Sequence, residues 1–232
     1  LQREFYNANL RYTKERTVII ISDAMRYEVG QELFARMQDD PKCTAKLSVQ
    51  LSVLPSYTRF GMAALLPHKT LEMTDDFQVL VDGILCDNLA GRQQVLQSYN
   101  PDSVCVQFDD IKNLKVAELR DVLTKRQIIY VYHNQIDARG DKANTEDEVF
   151  HACEEAVQEI VDLIHRISVS GNTYHFIVTA DHGFIYKRDK LTESDKISGK
   201  SAEKAFVNRR FIVSKAALED DGIDHMSMGR VL

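Results

Sequence analysis

Three short apolar segments, separated by longer amphipathic ones, constrain the fold of this 232-residue chain more than any other feature. The apolar segments are residues 17–22, 128–132 and 174–180, and each has the length and continuous apolar character of a strand buried on both faces. Apolar residues recur at helical spacing in residues 26–38 and 145–167. This alternation predicts an α/β fold: a three-layer α/β/α sandwich around a largely parallel central sheet.

Weaker patterns fill in the expected order of elements. Further strands are expected at residues 47–54, 79–85, 104–108 and 206–213. Further helices are expected at residues 61–66, 89–99 and 116–123, the first of them stopped by Pro67. The segment 47–54 alternates Leu and Val with Ser and Gln, which is typical of a half-buried strand.

Composition assigns the chain to the ordinary globular class. Hydrophobic residues make up 44% and charged residues 28%, and the 10 glycines and 4 prolines are too few for a collagen-like or low-complexity chain. No apolar run approaches the roughly 20 residues that cross a bilayer, so we expect no membrane association. The net charge of −6 excludes a basic surface over the whole molecule but leaves a local basic groove open.

The cysteines and the N-terminus suggest a compartment and a domain organisation. None of the 4 cysteines has the spacing of a metal knuckle or a redox motif, so a reducing cytoplasm is the expected compartment. The first residues lack a signal peptide and do not begin with Met. We therefore expect residues 1–232 to be one domain that is a fragment of a longer chain.

Acidic and imidazole side chains follow each of the three apolar strands. They are Asp23 after the first strand, His133, Asp137 and Asp141 after the second, and Asp181 and His182 after the third. The carboxyl ends of parallel strands meet at one edge of a sheet, and carboxylates with imidazole suit zinc or manganese. A lone aspartate at a strand end more often caps the next helix, but three such strands together favour a metal site.

A hydroxyl residue at the start of a predicted helix gives a second chemical signal. Thr58 and Ser56 follow the strand expected at residues 47–54. Free backbone N–H groups at a helix start attract anions and lower the pKa of a nucleophile, and a metal on Thr58 would favour its alkoxide. On local sequence alone, a capping role for Thr58 or Ser56, or a turn at Ser56-Tyr57, is the stronger interpretation.

Four segments resemble the PglZ family, which belongs to the alkaline phosphatase superfamily and to the BREX type of phage-defence system. The segments are VIIISDAMRYE (18–28), PSYTR (55–59), YHNQIDARGD (132–141) and TADHGF (179–184). The resemblance covers about residues 17–213. It implies an alkaline phosphatase-like fold and a metal-dependent phosphatase or phosphodiesterase. It also implies other BREX proteins as partners, and it leaves nucleic acid open as substrate and DNA as partner.

The resemblance also implies a first metal and a nucleophile. Asp23, Thr58, Asp181 and His182 would hold the metal, for which zinc is expected and manganese is the alternative. Thr58 would be the nucleophile of a two-step displacement at phosphorus.

A second metal is implied less completely. Asp137 and Asp141 match two of its ligands, and Asp141 stands where the wider superfamily usually has His. The third ligand should be a downstream His. His225 is a poor candidate, and we expect the true ligand to lie beyond Leu232. The second metal site is therefore expected to be incomplete.

Other residues have two interpretations each. Arg26 and Arg59 are candidates for binding phosphate oxygens, although Arg26 could instead pair with Glu28. His133 is expected to support the site indirectly or to be hydrogen-bonded at the end of its strand.

Two other functional classes stay open. One is a degenerate phosphatase fold that acts as a scaffold in a defence complex. The other is a phosphoglycerate mutase-like or sulfatase-like enzyme, the sulfatase being disfavoured because Thr58 stands where it needs Cys or Ser.

Overall fold

The computed structural model describes residues 1–140, 149–185, 205–208, 211–215 and 224–228. The chain divides into two units, Leu1–Phe184 and Ile185–Leu232, and each is described by itself. The expectation of one domain over residues 1–232 stays a prediction.

The described residues include the following strands and helices. The strands are β1 (Thr17–Ser22), β2 (Leu71–Met73), β3 (Val79–Val81), β4 (Ile84–Leu85), β5 (Ser103–Gln107), β6 (Ile128–His133), β7 (His175–Thr179), β8 (Ala205–Val207) and β9 (Ile212–Ser214). The helices, after a 3-10 turn at Gln2–Glu4, are α1 (Phe5–Asn9), α2 (Tyr27–Gln38), α3 (Thr58–Ala64), α4 (Leu89–Tyr99), α5 (Phe108–Ile111), α6 (Val116–Leu123), α7 (Gln135–Gly140) and α8 (Val149–Gly171).

A parallel sheet of four strands, in the order β5-β6-β1-β7, forms the centre of the first unit. The three strong apolar segments of the sequence are therefore neighbours, with β1 in the middle. Every residue of β1 is buried, as expected for a strand covered on both faces. Because β1, β6 and β7 run the same way, the polar residues that follow them come out at one edge of the sheet.

Helices cover both faces of this sheet. On β6, the Tyr130 hydroxyl donates to the Leu65 carbonyl oxygen just after α3, whereas His133 is hydrogen-bonded to Glu159 of α8. Tyr130 and His133 are three residues apart on one strand, so their side chains point to opposite faces. Helices α3 and α8 therefore lie in different layers, and the predicted α/β/α architecture is confirmed.

The long helix α8 buries one stripe of its surface. Ala152, Ala156, Ile160 and Ile167 are fully buried at helical spacing, and α8 packs against α2, α6 and α7. The predicted helix began at residue 145, but residues 145–148 lie outside the described residues.

The strand predicted at residues 47–54 is wrong. This segment is not in a strand, and Val49 and Leu51 are largely exposed. Its backbone hydrogen bonds go to Gln2 instead: the Gln2 backbone N–H donates to Leu51 O, and the Gln2 side chain accepts from the Val53 N–H. A segment with an alternating pattern forms a strand only if its backbone is hydrogen-bonded to a neighbouring strand. Here the bonding partner is Gln2, the first residue of a 3-10 turn.

Each of two other predicted strands is replaced by a pair of antiparallel strands. Residues 79–85 form β3 and β4 with a tight turn at Asp82 and Gly83, both with positive φ. An Asp-Gly pair between apolar residues favours this turn. In the second unit, β8 (Ala205–Val207) and β9 (Ile212–Ser214) pair antiparallel within the strand predicted at residues 206–213, of which residues 209–210 lie outside the described residues. No helix among the described residues is long and apolar enough to cross a bilayer.

Candidate active site

Four of the predicted site residues converge at the carboxyl edge of the central sheet. Asp23 follows β1, Asp181 and His182 follow the adjacent β7, and Thr58 begins α3. The Nε2 atom of His182 lies 3.3 Å from Asp23 Oδ1 and 3.4 Å from Asp181 Oδ2. The Thr58 Oγ1 atom lies 3.1 Å from His182 Nε2 and 3.5 Å from Asp23 Oδ1.

The two carboxylates and the imidazole form a buried donor set. One ligand atom from each of Asp23, Asp181 and His182 lies within 4.8 Å of the others, and these residues are 4%, 0% and 5% exposed. Asp181 Oδ1 accepts from the Ala24 N–H at 3.1 Å, but among the described residues its buried Oδ2 has no hydrogen-bond partner. A buried carboxylate oxygen without a donor is costly, and a cation would satisfy it. The residues therefore fit a divalent cation that takes N and O ligands.

The electrostatics of the cluster agree with this fit. Burial raises the pKa of Asp181 well above its usual range, and the Asp23 carboxylate raises it further. Burial alone would lower the pKa of His182, but the hydrogen bond with Asp23 and the charge of Asp181 raise it to about 9. A proton on His182 thus balances part of the negative charge, and a metal ion would compete with that proton.

The turn after β1 is conformationally unusual. The Asp23 N–H donates to His133 O at 2.8 Å, which continues the pairing with β6 past the last strand residue. The next residue, Ala24, has φ of 63°, a left-handed conformation that is unfavourable for a residue with a Cβ atom. This conformation accompanies the bond from the Ala24 N–H to Asp181, so the turn ties the ends of β1 and β7 together.

Thr58 is the first residue of α3 and does not cap it. The capping position belongs to Tyr57, and no side-chain capping bond is made there. The interpretation of Thr58 or Ser56 as a helix cap is therefore wrong. The Thr58 hydroxyl instead faces Asp23 and His182.

One turn into the same helix, Gly61 allows a close approach to the Asp181 backbone. A Cβ atom at Gly61 would lie 2.3 Å from Asp181 O, closer than real Cβ contacts. Gly61 could not be predicted as a site residue, because a glycine inside a short helix has no local signal for such a contact.

The second predicted metal site is not assembled among the described residues. Asp137 is half-buried on α7 and is not part of the described cluster of candidate ligands. Asp141 lies outside the described residues. His225 is exposed and belongs to the second unit. The second site stays a prediction.

The two candidate phosphate-binding arginines both have carboxylate neighbours. The Arg26 Nη2 atom lies 2.8 Å from Glu28 Oε1, and its guanidinium lies 5.2 Å from the centre of the Phe184 ring. Arg59 lies 3.6 Å from Asp87 and is more than half exposed. The alternative pairing of Arg26 with Glu28 is therefore present, and phosphate binding by either arginine stays a prediction.

His133 is a hydrogen-bonded residue at the end of its strand. It is fully buried, with Nδ1 3.1 Å from Ser22 Oγ and Nε2 3.0 Å from Glu159 Oε2. The structural interpretation of this histidine therefore agrees with its contacts.

A cavity of about 410 Å³ borders the cluster on the β7 side. Its lining includes Gln2, Arg26, Tyr27, Asp181, His182 and Phe184. Gln2 was missed by the sequence analysis, since nothing in the local pattern marks a glutamine as buried.

The parallel sheet, the helix layers and the carboxylate–imidazole cluster beside a threonine define an alkaline phosphatase-like α/β domain. The chain belongs to the family described as the BREX system PglZ alkaline phosphatase-like domain, and the match covers residues 3–230.

Two curated relatives support this assignment. The chain is 38% identical over 219 residues to the alkaline phosphatase-like protein PglZ of Bacillus cereus (strain H3081.97). It is 37% identical over 222 residues to the alkaline phosphatase-like protein BrxZ of Escherichia coli O9:H4 (strain HS). Each match covers 94% of this chain but only 26% and 25% of the respective relative. The chain therefore spans about a quarter of the length of these relatives.

Proposed function

We propose that this chain is a metal-dependent phosphoryl-transfer hydrolase, a phosphatase or phosphodiesterase, with Thr58 as nucleophile. One observation carries the proposal: the Thr58 hydroxyl lies 3.1 Å from His182 Nε2, next to two buried carboxylates. A role in capping α3 does not explain why the Thr58 hydroxyl faces this cluster, because the capping position of α3 belongs to Tyr57.

Asp23, Asp181 and His182 would hold one divalent cation beside Thr58, with zinc expected and manganese the alternative. The bound cation would supply Lewis-acid charge that favours the threonine alkoxide and neutralises phosphoryl oxygens. Asp137 and Asp141 belong to a proposed second site, which depends on a further ligand.

The chain's own residues prepare Thr58 for attack. Asp23 Oδ1 lies 3.5 Å from the Thr58 hydroxyl, in position to accept its hydrogen. The Thr58 oxygen would form a bond to phosphorus as the ester bond to the leaving alcohol breaks, and the alcohol would take up a proton. Water would then cleave the phosphothreonine, which releases the phosphate product and restores the hydroxyl.

The biological setting is part of the same proposal. The family description and the names of the relatives refer to the BREX system and to alkaline phosphatase-like proteins. We infer action with other BREX proteins in phage defence, in the cytoplasm, on a phosphodiester substrate that includes nucleic acid. The net charge of −6 means that DNA binding would need a local basic region, such as one containing Arg26 or Arg59, or a basic partner.

The test compares the wild type with Thr58→Ala and Thr58→Ser. Chelator-treated protein is titrated with zinc and with manganese by calorimetry, and hydrolysis of 4-nitrophenyl phosphate and bis(4-nitrophenyl) phosphate is then measured. We expect metal-dependent hydrolysis that Thr58→Ala lowers by at least about 10³-fold and that Thr58→Ser partly retains. Thr124→Ala is the control, because the Thr124 hydroxyl donates to the Arg120 carbonyl oxygen at the exposed end of α6.

Other outcomes favour the alternatives. A degenerate scaffold predicts no stoichiometric binding of either metal. Full activity of Thr58→Ala would refute the assignment of the nucleophile.

A further inference from the structure

Gln2 is a buried residue whose side-chain amide is fully hydrogen-bonded. It is 1% exposed, although it stands at the start of the first helical turn. Its Nε2 atom donates to the carbonyl oxygens of Asp181 at 2.6 Å and Ala180 at 3.1 Å. Its Oε1 atom accepts from the Val53 N–H at 3.0 Å and from the Ser52 hydroxyl at 3.3 Å.

These partners determine which way the amide points. Carbonyl oxygens only accept hydrogen bonds and a backbone N–H only donates, so a flipped amide would set oxygen against two carbonyls. The Gln2 backbone N–H also donates to Leu51 O at 2.9 Å. Gln2 therefore uses both its backbone and its side chain to hold residues 51–53.

The two segments that Gln2 joins are those that carry the candidate active site. Residues 51–53 lead into Thr58, five residues past Val53. Asp181 is itself a candidate metal ligand, and its carbonyl oxygen is the nearest partner of the Gln2 amide. Among the described residues, the Ser52 hydroxyl makes a second and longer contact with the same oxygen, at 3.4 Å.

We propose that Gln2 is a positioning residue that sets the distance between Thr58 and the Asp181–His182 pair. Its amide clamps the loop after β7 to the segment that precedes α3, so the hydroxyl and the two ligands keep one geometry. The expected effect of Gln2 on metal affinity rests on the proposed function. The clamp itself is a property of the folded chain.

The test uses Gln2→Ala and the isosteric Gln2→Glu, in which an acceptor oxygen replaces the donor facing two carbonyls. Gln97→Ala is the matched control, because Gln97 Nε2 also donates to a backbone carbonyl, Ser103 O at 3.2 Å, on the α4 side of the sheet. Three quantities are measured: backbone hydrogen exchange, zinc affinity by calorimetry, and the visible spectrum of the cobalt(II)-substituted protein.

Both Gln2 variants should exchange faster at residues 51–62 and at 180–184 together, with β1 and β6 unchanged. Their zinc affinity should fall by about 10- to 100-fold, the usual effect of losing a group that supports metal ligands. Their cobalt(II) bands should shift, whereas Gln97→Ala should resemble the wild type in all three measurements.

Three results would overturn the proposal. They are wild-type exchange at both segments, faster exchange in only one of them, and faster exchange throughout β1 and β6, which would mean general destabilisation. If the wild type binds no zinc, the proposed function fails, and hydrogen exchange alone then decides whether the clamp exists.

Discussion

Replacing Gly61 by alanine is expected to displace Asp181 while leaving most of the fold in place. The new Cβ atom would lie 2.3 Å from Asp181 O and 2.8 Å from Asp181 C. To reach 3.0 Å, the shortest separation that Cβ atoms ordinarily show, the carbonyl oxygen and α3 must separate by at least 0.7 Å. Both groups are backbone, so no flexible side-chain end can absorb this movement.

Two opposing terms determine the effect on stability. Overpacking of this kind costs about 1–3 kcal/mol, and the better helix preference of alanine returns up to about 1 kcal/mol. We therefore expect a loss of about 0–3 kcal/mol in the free energy of unfolding. Zinc affinity should respond more strongly than stability, because metal–ligand distances tolerate errors of only about 0.2 Å. A change of 0.7 Å between Asp181 and α3, which carries Thr58, should weaken zinc binding by about 10- to 100-fold.

The matched control is Gly30→Ala in α2. Gly30 is also inside a helix, but a Cβ atom there would meet no atom of the described residues within 4 Å. We expect this variant to gain up to about 1 kcal/mol and to bind zinc as the wild type does. Urea unfolding of chelator-treated protein measures the stability, and calorimetry measures the affinity. The reasoning would be refuted if Gly61→Ala and Gly30→Ala behaved alike in both assays.

Two further predictions concern the charges of the cluster. Asp181→Asn should abolish stoichiometric zinc binding but make the chelator-treated protein more stable at pH 7 in urea unfolding, because burial and Asp23 raise the pKa of this carboxyl and its ionised form is therefore costly. Lower stability of Asp181→Asn would contradict this. The pKa of His182 is about 9, above its ordinary value of 6.5, so the folded state holds the proton on this imidazole more tightly than the unfolded chain does. Protonated His182 therefore contributes fully to the free energy of unfolding below pH 6.5, and this contribution is lost as the pH rises through 9. The stability of chelator-treated protein should fall across that window. Zinc must displace the His182 proton, so its apparent affinity should rise by up to about tenfold per pH unit until pH 9. Calorimetry at several pH values tests this, and an apparent zinc affinity that does not change with pH would contradict it.

The strands and their terminal carboxylates could be predicted from the sequence because one physical requirement produces both. A strand buried on both faces of a parallel sheet must be continuously apolar, and its chain becomes polar where it leaves the sheet. Residues 17–22 and 174–180 show this change sharply, at Asp23 and at Asp181. Their parallel pairing then brings the two carboxylates together without any further local signal.

The remaining features depend on contacts that no local pattern encodes. Gln2 is buried only because Asp181 and Val53, distant in sequence, surround its amide. The segment 47–54 has a strand-like sequence, but its backbone is bonded to Gln2 and not to a strand. Gly61 looks like a weak helix residue until the Asp181 backbone is placed beside it. These positions are decided by tertiary contacts, which override local preference.

Several local rules are broken around Asp181, and this argues for a ligand site over a passive scaffold. Ala24 has a left-handed backbone, Gly61 weakens a helix, and Asp181 Oδ2 is buried with no hydrogen-bond partner in the part of the chain that the structure describes. Each departure costs stability, and in natural proteins such departures concentrate where function requires them. All three concern Asp181: the Ala24 N–H donates to its Oδ1 atom, the missing Cβ of Gly61 leaves room for its backbone, and its Oδ2 atom faces His182. Because burial and Asp23 make the ionised Asp181 carboxylate costly, a scaffold that binds no cation would gain stability from Asn at this position. If that substitution left a stoichiometric metal site intact, the cluster would not be the metal centre.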